Sequence, residues 1–117
     1  MEIETNNPDA VYVGPSSSVE QMHEFGLSEK SVKQVAHGQK WQTGDVVIHA
    51  VDGRDWADDS ALCYVIESAN AAIFLGGDIL YFDGFERYGK QFDITAAALA
   101  LAGLYPVTGS PESSPYL

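Results

Sequence analysis

The sequence predicts an α/β fold of layered, α+β character built on a mixed sheet. Three observations point to it. Apolar runs of four to eight residues with two-residue alternation recur between positions 45 and 75, as half-buried strands require. Stretches of helical spacing lie before and after them. The 117 residues are 45% hydrophobic with 11 Gly and 5 Pro, enough for one modest core.

In chain order, residues 1–9 are polar and read as a loose N-terminus. Ala10-Val-Tyr-Val13 is a short strand stopped by Gly14-Pro15. Ser17 with Glu20 fits a capping box for a helix whose apolar face holds Val19 and Met22, ended by Gly26. Ser31 to Val35 reads as a second strand, and His37-Gly38 and Thr43-Gly-Asp45 as turns. Asp45 to Val51 alternates, with Val46, Ile48 and Ala50 on one face and Val47, His49 and Val51 on the other. Residues 53–59 form a polar loop, followed by a strand at Ala61–Glu67. Ala69-Asn70 suits a hairpin turn because Asn tolerates the left-handed region, and Ala72–Leu75 returns as a strand ending at Gly76-Gly77-Asp78.

Beyond it, Tyr81, Phe82, Phe85 and Tyr88 have helical spacing, with Gly89 near the stop. Residues 94–102 are apolar after Thr95 and fit a strand buried on both faces; a buried helix is the alternative, since Ala and Leu favour it. Residues 106–117 read as a flexible tail. The order is β-α-β-β-β-β-α-β.

Seventeen Asp and Glu against six Lys and Arg give a net charge of −11. Nucleic-acid affinity rests on neutralising phosphates with Lys and Arg, so DNA and RNA are not expected partners, and an anionic membrane would repel the chain. The single cysteine, Cys63, lies in an apolar run and reads as a small buried hydrophobe. The N-terminal residues lack the basic and apolar regions of a signal peptide, and no apolar run approaches the roughly 20 residues that span a bilayer. A cytoplasmic protein is the expectation.

The candidate chemistry sits at strand ends. Ala72-Ile-Phe-Leu-Gly-Gly-Asp78 delivers a carboxylate after two glycines, where α/β enzymes put working groups; a turn capped by the aspartate is the alternative. Asp52 is either a hard oxygen ligand or a turn residue. Arg54 suits a substrate phosphate or pairs with a neighbouring aspartate. The loop Asp55-Trp-Ala-Asp-Asp59 reads as solvated, with Trp56 over the core. His23, His37 and His49 share no metal-ligand spacing, and His49, between Val47 and Val51, reads as a packed, hydrogen-bonded residue.

Val11-Tyr-Val-Gly-Pro15, residues 26–35, Asp45-Val-Val-Ile-His-Ala-Val-Asp52, residues 61–68, Gly76-Gly-Asp78 with Tyr81, and Phe92-Asp-Ile94 follow one another as in the metallo-β-lactamase superfamily. The pattern resembles its ascorbate-6-phosphate lactonase-like members over roughly residues 10–103. The resemblance implies part of an αββα sandwich, a partial domain at residues 10–105, and divalent metal (Mn or Zn) activating water against a lactone or ester. It implies Asp78 as a metal ligand.

The sequence contains no His-x-His-x-Asp-His, the family's main metal signature, and lacks its late histidine. A catalytic zinc wants about three protein ligands. The chain is therefore expected to be an incomplete or degenerate hydrolase domain that holds metal weakly and is inactive alone. The alternative is a non-catalytic assembly module that forms a homo-oligomer through an exposed sheet face, and a metal site completed across chains is a third possibility.

Overall fold

The computed structural model describes residues 2–54, 59–77 and 83–99, and within them the chain forms two sheets and three α-helices. Helix α1 (Glu2–Asn6) is an element that the polar N-terminus did not signal. Strand β1 (Tyr12–Gly14), helix α2 (Ser16–Glu24) and strand β2 (Val32–Gln34) form a β-α-β unit in which the two strands pair in parallel. The expected capping box is not made. Pro15 is the N-cap and offers no side-chain donor or acceptor, while the Ser17 hydroxyl bonds that of Ser60 at 3.0 Å, tying the helix start to the loop before the fifth strand. The helix ends as expected, at Gly26 with φ 88°.

The larger sheet has the order β3-β4-β5-β6-β7, comprising Lys40–Thr43, Val46–Asp52, Leu62–Glu67, Ala72–Gly77 and Ala96–Leu99. The first four strands are antiparallel, and β7 joins β6 in parallel, which makes the sheet mixed as expected. Strand β3 was not legible, because Lys-Trp-Gln-Thr has little apolar content; its register with β4, Trp41 opposite Ile48, makes it a strand. At residues 68–71 the Ser68 N–H donates to the Ala71 carbonyl and closes a hairpin, but no non-glycine residue among those described has positive φ, so Asn70 is not left-handed.

Helix α3 (Gly84–Gln91) continues through Gly89. It stops where Phe92 turns extended and buried, its N–H bonded to the Tyr88 carbonyl. Tyr81 and Phe82 lie outside the described residues. The core joins α3 to one face of the sheet: Val51, Cys63, Val65, Ala72 and Phe74 pack with Tyr88 and Phe92. Strand β7 is not buried on both faces as its composition suggested. All four of its residues are exposed, since it is the last strand in the order and its side chains are mostly alanine.

Candidate functional site

Asp52 is the last residue of β4, paired with Leu62 across the β4–β5 ladder. The chain leaves the strand through Gly53, whose N–H bonds the Ala61 carbonyl at 3.2 Å. A Cβ at Gly53 would stand 3.1 Å from the Leu62 carbonyl carbon, so a side chain here would push the two strands apart. Arg54 then folds back. Its Nη1 donates to Asp52 Oδ2 and to the Gly53 carbonyl at 2.9 Å. The bond to Asp52 raises the guanidinium pKa further. From the β2–β3 connection, His37 brings Nδ1 within 3.8 Å of Asp52 Oδ1.

The Asp52 backbone is also fixed, because the Tyr88 hydroxyl donates to its carbonyl at 3.1 Å and so ties the strand end to α3. Replacing Tyr88 by Phe is expected to lower stability by about 1 kcal/mol in urea denaturation, the loss of one partly buried hydrogen bond. An unchanged midpoint would show that this tie contributes nothing.

Beside Asp52 lies a cavity of about 260 Å³ whose polar lining includes Ser16, Gln34, His37, Asp59 and Ser60. It opens at the C-terminal ends of β1, β2 and β4, where α/β folds place ligands. Sequence reasoning read His37, fifteen residues from Asp52, as part of a turn and without metal-ligand spacing, and did not bring it to the site. Its only signal was its place beside the Gly38 turn that sends β3 back along β4. His49 takes the packed role expected of it: Nε2 lies 2.9 Å from Glu67 Oε1, and the ring centroid is 4.8 Å from that of Phe92.

Of the residues singled out for metal or substrate, Asp52 and Arg54 meet each other, while Asp78 lies outside the described residues, as do Asp55, Trp56 and Asp58 of the acidic loop. Asp78 follows Gly77, which ends β6 with φ 61°, a left-handed turn that glycine makes without strain. Among the described residues no three of His, Cys, Asp and Glu are placed to share a metal ion. At Asp52 the Oδ2 oxygen is already bonded to the Arg54 guanidinium. The described residues therefore do not by themselves make a metal centre.

Among the described residues the fold is that of a layered α/β protein, a mixed five-stranded sheet closed on one face by a helix. The chain is similar in structure to Igni18, a novel metallo hydrolase from the hyperthermophilic archaeon Ignicoccus hospitalis, with a TM-score of 0.71 and 15% sequence identity over 91% of this chain and 47% of that one. At that identity the likeness is one of fold. The metallo-β-lactamase fold protein YhfI from Bacillus subtilis matches more loosely, with a TM-score of 0.49 and 17% identity over 65% of this chain and 31% of that one. The chain thus spans about half the length of Igni18. No protein-family model and no curated protein matches the sequence. No helix among the described residues is long and apolar enough to cross a membrane.

Proposed function

We propose that this chain carries the sheet-bearing part of a metal-dependent hydrolase scaffold of the sugar-phosphate lactonase type and turns over no lactone by itself. The supporting observation is the shared fold with a metallo hydrolase over nearly all of this chain but about half of that protein. The second support is chemical: Asp52, a candidate ligand, is engaged by Arg54 and approached by His37. Asp78 is the remaining candidate ligand for Mn or Zn, and one carboxylate holds such an ion weakly. Arg54 is the candidate contact for a substrate phosphate, which would compete with Asp52 for the guanidinium.

The test is metal analysis by mass spectrometry on the untagged chain after loading with Mn or Zn, paired with hydrolysis assays on sugar-phosphate lactones. Substoichiometric metal that falls further in Asp78→Ala, with hydrolysis at background, is expected. A stoichiometric two-metal centre with turnover would overturn the reading, and metal content unchanged in Asp78→Ala would remove that residue from it.

A further inference from the structure

We draw no further inference here: the strongest candidate, the cleft of about 260 Å³ between the β1-α2-β2 unit and the end of β4, belongs to the site already described, and nothing in the structure shows what would occupy it.

Discussion

Replacing Phe74 with Ala is expected to destabilise the fold by about 3–5 kcal/mol, the usual loss for a buried aromatic cut back to a methyl group. Phe74 is 6% exposed in the middle of the larger sheet. Its ring meets that of Phe85 edge-on with centroids 5.4 Å apart and lies 6.2 Å from that of Tyr88, so one side chain joins β6 to both anchoring aromatics of α3. Repacking has little material to draw on. A cavity of about 180 Å³ already adjoins Phe74 between α3 and β7, and removing the ring enlarges it. Proteins of this size are stable by only about 5–15 kcal/mol, so about a fifth or more of the total is at stake. Urea denaturation measures it: the midpoint should fall with the slope unchanged. A loss below about 1 kcal/mol would mean that α3 does not close the sheet in the way the ring contacts indicate.

What the sequence made legible follows from where burial is one-sided. Between Val46 and Gly77 alternating side chains face either α3 or the opposite surface, and the pattern reveals the three antiparallel strands to within a residue or two. Cys63, read as a buried hydrophobe, is fully buried. The pattern failed where neighbours rather than composition decide. Lys40–Thr43 is a strand because β4 supplies a ladder for it. The alanine-rich run near position 96 looks like a core strand, yet it lies at the end of the strand order with every described side chain exposed. At the candidate site Asp52 was legible at its strand end, while Asp78 lies outside the described residues. The approach of His37 to Asp52 was not legible, because it depends on the path of β3 rather than on any spacing along the chain.

The buried thiol makes the fold sensitive to alkali. Cys63 sits opposite Val51 across the β4–β5 ladder, fully buried, with Sγ 4.0 Å from the Gly76 carbonyl. Burial, helped by the nearby Asp52 charge, pushes its pKa from an ordinary 9.0 up to about 12. Below pH 9 the thiol is protonated in both folded and unfolded chains and contributes no pH dependence. Above it the unfolded chain releases the proton while the folded chain keeps it, so unfolding is favoured increasingly until the folded thiol ionises near 12. The whole window corresponds to about 4 kcal/mol at most. Tyr64 and Tyr88, whose pKa values burial also raises from 10.0, act in the same direction at higher pH. Urea midpoints should therefore fall from pH 8 to pH 10 in the wild type but stay nearly level in Cys63→Ala, with both proteins declining above pH 10. In the folded wild type at pH 8 the thiol should resist alkylation and react promptly once urea unfolds the chain. Equal slopes for the two proteins between pH 9 and 10, or rapid alkylation of the folded chain, would place Cys63 in contact with water and contradict the core described here.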